Sequence, residues 1–185
     1  MINELKKYIP FNSQEKADLS ELLRLLDKEE NLFDRSNLTA HFTASAWVVN
    51  KTRDKVLMAY HNLYDSWAWL GGHADGEEDL LKVAIKEVKE ESGLERVTPV
   101  TEEIFSVEIL GVNGHYKKGK YVSSHLHLNV TYLLEADSND PVKNKPDENK
   151  AVKWFGLEEA IEASKETWFK ENIYNKLNEK LSTLK

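Results

Sequence analysis

The period at which apolar positions recur changes along this chain, and the changes divide it. In residues 1–36, Leu19, Leu22, Leu23 and Leu26 return at helical spacing behind Asn12, a cap to which Glu15 can reach back. This predicts an amphipathic helix that needs a partner surface. Its polar face mixes acids and bases, which favours packing on the rest of the chain over a membrane role, with a dimer contact as the alternative.

From His41 the pattern turns to strands. HFTASAWVV, a turn over residues 51–54 and KVLMAYH read as a hairpin rich in aromatic and β-branched residues, and SWAWL is a third extended piece that runs into Gly71. Helical spacing returns with Leu81, Ala84, Ile85 and Val88, an apolar stripe that buries one helix against a sheet. A strand over residues 104–110 and the Gly- and Lys-rich loop NGHYKKGKY come next. In VSSHLHLNVTYLLEA, alternation places Leu126, Leu128, Val130 and Tyr132 on one face and His125, His127 and Asn129 on the other. A polar loop, DSNDPVKNKPDENK, leads to the short strand AVKWF and a helix from Leu157. A last helix carries Trp168, Phe169, Ile173 and Leu177. The order predicts an α/β chain with a mixed sheet between helices.

Composition narrows the function. At 185 residues the chain suits a single domain with a substantial core. A net charge of −7 argues against binding DNA or RNA backbones, so a phosphate ligand has to be met locally, by metal and a few basic residues. There is no cysteine, which removes disulfides and a thiol nucleophile. Neither a secretory signal pattern nor a run of roughly 20 apolar residues is visible, so the expected location is the cytoplasm, without a membrane partner.

The chemistry concentrates in GGHADGEEDLLKVAIKEVKEESGL, residues 71–94. Glu87, Glu90 and Glu91 stand at i, i+3 and i+4, on one side of a helix that turns about 100° per residue. Three acids that converge repel one another unless something compensates them. A hard divalent cation does so, because such ions prefer carboxylate oxygens and bridge them to substrate phosphates. Runs such as KEVKEE are ordinarily solvated, and it is the flanking Gly71, Gly72, Glu78 and Gly93 that favour a metal site here.

This stretch resembles the Nudix box. Gly72, Glu78, Glu87, Val88, Glu90, Glu91, Gly93 and Leu94 occupy the family's fixed positions, and Lys86 departs from it by standing where the family has Arg. A guanidinium braces a carboxylate through two parallel bonds, whereas an ammonium is a flexible point charge, so the departure bears on the rigidity of the site. The resemblance implies the Nudix α/β/α sandwich over residues 38–165. Residues 1–37 would be a helical extension packed on it, and residues 166–185 a C-terminal helix of the same globular unit, with a homodimer possible. It implies Mg²⁺- or Mn²⁺-dependent hydrolysis of a diphosphate linkage in a small nucleoside diphosphate derivative, with the metal on Glu87, Glu90 and Glu91 and with Glu78 in support. Glu148, in the loop before AVKWF, matches a place where many Nudix enzymes carry a further glutamate; it and Glu87 are the rival general bases. The alternative is a Nudix-fold protein that senses a nucleotide without cleaving it. An isopentenyl diphosphate isomerase of the same superfamily is disfavoured, since its catalytic cysteine has no counterpart.

The remaining candidates are substrate contacts: Gly72, Lys86, and the pair His125 and His127. The His-x-His spacing also occurs in transition-metal sites, but sequence supplies no clear third ligand. His115, Lys117, Lys118 and Lys120 form a basic loop between Gly114 and Gly119, and Trp67 or Trp69 offers a face for a nucleobase or simply a piece of core.

Overall fold

A computed structural model describes residues 2–117 and 119–184. Its centre is strand β1 (Ala40–Val49), buried along its whole length. β1 pairs in parallel with β9 (His125–Glu135), from Ala40↔Leu126 to Val49↔Glu135. On its other edge it meets β4 (Leu70–His73) and, at Val49, β2 (Lys55–His61), both antiparallel. β2 continues the sheet to β3 (Ser66–Ala68) and β10 (Asn149–Gly156), and β9 continues it to β5 (Thr98–Pro99) and β6 (Ser106–Val112). The sheet is therefore mixed. The expected loop at 113–121 carries a small hairpin of its own, β7 (His115–Lys117) with β8 (Lys120–Val122), so β9 starts at His125 instead of at Val122.

Alternation along β1 decides the two layers. Phe42, Ala44, Ala46 and Val48 join Leu128, Val130 and Tyr132 of β9 beneath helix α3 (Leu80–Ser92) and helix α2 (Ser13–Lys28). Trp47 and Val49 turn the other way, against Ile161 of α4 (Leu157–Ala163) and Ile173, Tyr174 and Leu177 near the C-terminus. That C-terminal segment is a short helix α5 (Thr167–Phe169), a π-helical turn (Lys170–Tyr174) and α6 (Asn175–Thr183). The result is an α/β/α sandwich. A short helix α1 (Ile2–Lys7) precedes α2 and buries Leu5. Among the described residues no helix is long and apolar enough to cross a membrane.

Two local expectations need correction. The buried stripe of α3 is Leu80, Val83, Ala84, Val88 and Glu91, whereas Leu81 and Ile85 are partly exposed, because the helix is rolled to bring Glu91 inward. Asn12 does cap α2, accepting from Glu15 N at 2.9 Å, but the Glu15 side chain passes it and accepts from Phe11 N at 2.7 Å. The reason is that Glu15 is fully buried, where it also meets Tyr8, Ser106 and Lys180.

Candidate active site

The alternation that buries Trp47 and Val49 sets Thr43 and Ser45 on the floor of a cavity of ≈ 640 Å³, with His127 and Asn129 of β9 beside them. Thr43 and Ser45 donate to Asn129 Oδ1 at 2.9 and 2.8 Å, and Asn129 Nδ2 donates to Glu108 Oε2 at 2.9 Å. The floor is thereby locked from below.

Helix α3 supplies an acidic wall. Asp79 caps its start by accepting from Lys82 N, and Gly93 ends it in the left-handed conformation, φ 71°. Gly71 N donates to Glu91 Oε2 at 3.1 Å. A Cβ on Gly72 would lie 2.5 Å from Glu87 Cδ, so only glycine lets that carboxylate rest against β4. Glu87 and Glu90 line the cavity, while Glu91 is only 6 % exposed.

Against this wall lies the loop before β10. Lys145 Nζ lies 2.8 Å from Glu148 Oε1 and 3.5 Å from Glu90 Oε2, tying Glu148 to the helix acids. Asn149 fixes this loop, donating to Glu91 O at 3.1 Å and accepting from Lys145 N at 3.2 Å. Lys86 sits at the rim, 3.3 Å from Glu87 Oε1 and 3.6 Å from Glu90 Oε1, with 62 % of its side chain exposed.

The electrostatics follow from burial. Burial pushes Glu91 up to about 8; the Gly71 N–H opposes this, and the charges of Glu87 and Glu148 add to it. Glu87 is also raised, by burial first, with Lys86 opposing and Glu90 and Glu148 adding. Among the described residues Glu91 makes no ion pair. Clustered carboxylate oxygens at this strain suit a hard divalent cation, which favours their charged form.

The other candidates divide. Glu78 is exposed in the turn before α3 and does not line the cavity. His127 lines it, and His125 stands beside it with Nε2 to Nε2 at 3.2 Å. Burial and the surrounding histidines push His127 down to about 2, and burial lowers His41 as well, so both rings are neutral. Trp69 lines the cavity, edge-on to Phe169 at 6.2 Å, whereas Trp67 packs against Phe155 at 4.9 Å in the core. His115 lines the cavity; Lys118 lies outside the described residues. Sequence reasoning missed Lys145, Asn149, His41 and His73. Of these, only His73 carried a local signal, following the two glycines.

Residues 39–177 match the NUDIX domain family. The chain is 27 % identical to the asymmetrical bis(5'-nucleosyl)-tetraphosphatase of Rattus norvegicus over 62 % of its own length and 72 % of that protein's. The structure is similar to an Ap4A hydrolase of C. elegans in a binary complex, with a TM-score of 0.54 and 25 % identity over 76 % of this chain and 94 % of that one. It is also similar to a NUDIX family hydrolase of Clostridium perfringens, with a TM-score of 0.51 and 26 % identity over 78 % and 98 %. A family match over most of the length thus falls on the fold and the glutamate wall described above, and the chain belongs to the Nudix family as a pyrophosphohydrolase.

Proposed function

We propose that this enzyme hydrolyses a diphosphate linkage in a nucleoside diphosphate derivative, with Mg²⁺ or Mn²⁺ held by Glu87, Glu90 and Glu91 and with Glu78 in support through water. The observation that carries the reading is Glu91: a carboxyl withdrawn from water, pushed up to about 8, with further acids beside it and no ion pair among the described residues. When bound, the cation neutralises phosphate charge and lowers the pKa of a coordinated water.

The chain's own groups do the rest. Glu148 accepts a proton from the attacking water, because an acid outside the metal cluster keeps more of its basicity; Glu87 is the rival base. Lys145 holds Glu148 toward the cavity and offers an ammonium to a phosphate oxygen. Lys86 steadies Glu87 and Glu90 from the rim. Gly72 keeps the phosphate-facing backbone free of a side chain, and His125 and His127 contact the substrate from the opposite wall. The aromatic side chains in the lining, Trp69 with Phe169 beside it and Tyr64, offer faces on which a nucleobase stacks.

Two relatives named for dinucleoside tetraphosphates put that substrate class first in a panel. The panel also holds nucleotide sugars, ADP-ribose, dinucleotide cofactors and nucleoside triphosphates, with products identified by mass. Cleavage of at least one member with Mg²⁺ and none in excess EDTA is the expected result. Undiminished turnover in EDTA, or no cleavage across the panel, rejects the reading.

A further inference from the structure

The sheet gathers histidines from three of its strands beside the cavity. His41 of β1 is the register partner of His127 of β9, and Thr43, two residues along β1, is the partner of His73 of β4. Cross-strand partners project to the same face, so three adjacent strands send His41, His73 and His127 to one place. One ring nitrogen from each lies within 4.8 Å of the others. The ring centroids are 4.9–5.2 Å apart, and His125 approaches the group at 4.9 Å from His41.

Proton positions follow from the partners. A backbone carbonyl only accepts, so His41 Nδ1, 3.0 Å from Asn37 O, carries the hydrogen. In a neutral ring Nε2 then bears a lone pair. That atom is buried on a residue 5 % exposed and has no hydrogen-bond partner among the described residues. His125 is anchored likewise, with Nδ1 2.8 Å from Ser123 O, but its Nε2 accepts from His127 Nε2 at 3.2 Å. An imidazole whose far nitrogen is anchored on a carbonyl, with its near one bare, is the arrangement metal-ligating histidines adopt.

We propose that His41, His73 and His127 form a binding site for a late first-row divalent transition metal, Zn²⁺ being the representative, separate from the glutamate cluster. Nitrogen donors select such ions, whereas the carboxylate wall of α3 suits Mg²⁺ or Mn²⁺. A tetrahedral ion with bonds of about 2.0–2.1 Å holds its nitrogens roughly 3.4 Å apart, so the rings close by about an ångström on binding. The 3.2 Å between His125 Nε2 and His127 Nε2 is already of that size and makes His125 a candidate further ligand. His73 and His127 line the cavity, so an open coordination position faces the substrate space.

The test uses the full chain, stripped of metal, equilibrated with Zn²⁺ under a large excess of Mg²⁺ and passed over a desalting column before metal analysis. The parent and Glu90→Gln are expected to retain about one Zn²⁺ per chain, and His127→Asn and His73→Asn to bind it at least roughly 10²-fold more weakly, beyond what losing a supporting partner alone does. Long-range ¹H–¹⁵N spectra of the parent give a readout independent of any variant: stoichiometric Zn²⁺ is expected to shift His41 Nε2 and ring nitrogens of His73 and His127, and to leave His61 in place. Parental Zn²⁺ retention in both folded histidine variants overturns the proposal. Should both variants misfold, the parent's spectrum decides alone, and ring signals unmoved by Zn²⁺ overturn it.

Discussion

Two pairs of glutamates drawn in from solvent lie in this molecule under opposite terms. Glu15 and Glu108 are fully buried where the N- and C-terminal helices meet the edge of the sheet, and each has its own cation: Lys180 Nζ is 2.9 Å from Glu15 Oε1, and Lys176 Nζ is 2.9 Å from Glu108 Oε1. Burial works to raise the Glu15 carboxyl, but the Phe11 N–H, Tyr8 O–H and Lys180 ammonium outweigh it and hold it below its usual range. Burial also lowers Lys180, which on its own would argue against a charged pair; the donors converging on Glu15 favour the ionised form. Glu87 and Glu91 are raised by burial instead, since the cation in contact with Glu87 is a rim lysine and Glu91 has none in contact among the described residues. A buried acid that brings its own partner is structural, whereas one left wanting is poised for a ligand.

Substitution by glutamine should split the two with opposite signs. Glu15→Gln strands Lys180 and is expected to destabilise the fold by about 3–5 kcal/mol in chemical denaturation, with turnover per folded molecule little changed. Glu91→Gln is expected to cut turnover by at least roughly 10²-fold and to raise the melting temperature of the metal-free protein. Equal loss of stability in both variants would erase the distinction.

The pH dependence of the metal-free protein sharpens it further. Glu91 stands near 4.5 when unfolded and at about 8 when folded, so between those values the folded state binds more protons and stability falls as pH rises. The contribution is fully present below about 4.5 and gone above about 8, a swing on the order of 5 kcal/mol. Denaturation midpoints measured across this range should slope downward in the parent and flatten in Glu91→Gln; parallel profiles would assign the slope to other groups.

Within the site, Glu148→Gln is expected to lower the maximal rate by roughly 10-fold or more with metal affinity nearly unchanged, while Glu87→Gln disturbs both. Rates at saturating Mg²⁺ beside a metal titration separate them, and an unchanged rate in Glu148→Gln returns the base role to Glu87. The smallest effect belongs to Lys86, where solvent screens the charge. Lys86→Arg should be tolerated and Lys86→Met should weaken metal binding or turnover about several-fold. Kinetics of Lys86→Met identical to the parent would mean that the ammonium does not act on the acids.

What the sequence by itself determined was local. The strand from His41, the alternation from Leu126 to Tyr132, the stop at Gly93 and the convergence of Glu87, Glu90 and Glu91 all follow from side-chain period and turn chemistry over a few residues. Even there the roll of α3 escaped it, because Leu81 and Leu80 fit the helical period about equally well and only the sheet beneath selects one. The rest was decided by pairings between distant segments. The parallel register of β1 on β9 puts His41 beside His127, Asn149 brings Lys145 and Glu148 over the helix acids, and α6 carries Lys180 down to Glu15. No short window of sequence encodes such contacts, since each depends on closing a long loop that is favourable only once the whole core is buried. That closure also decides which glutamates receive a lysine and which are left for a ligand.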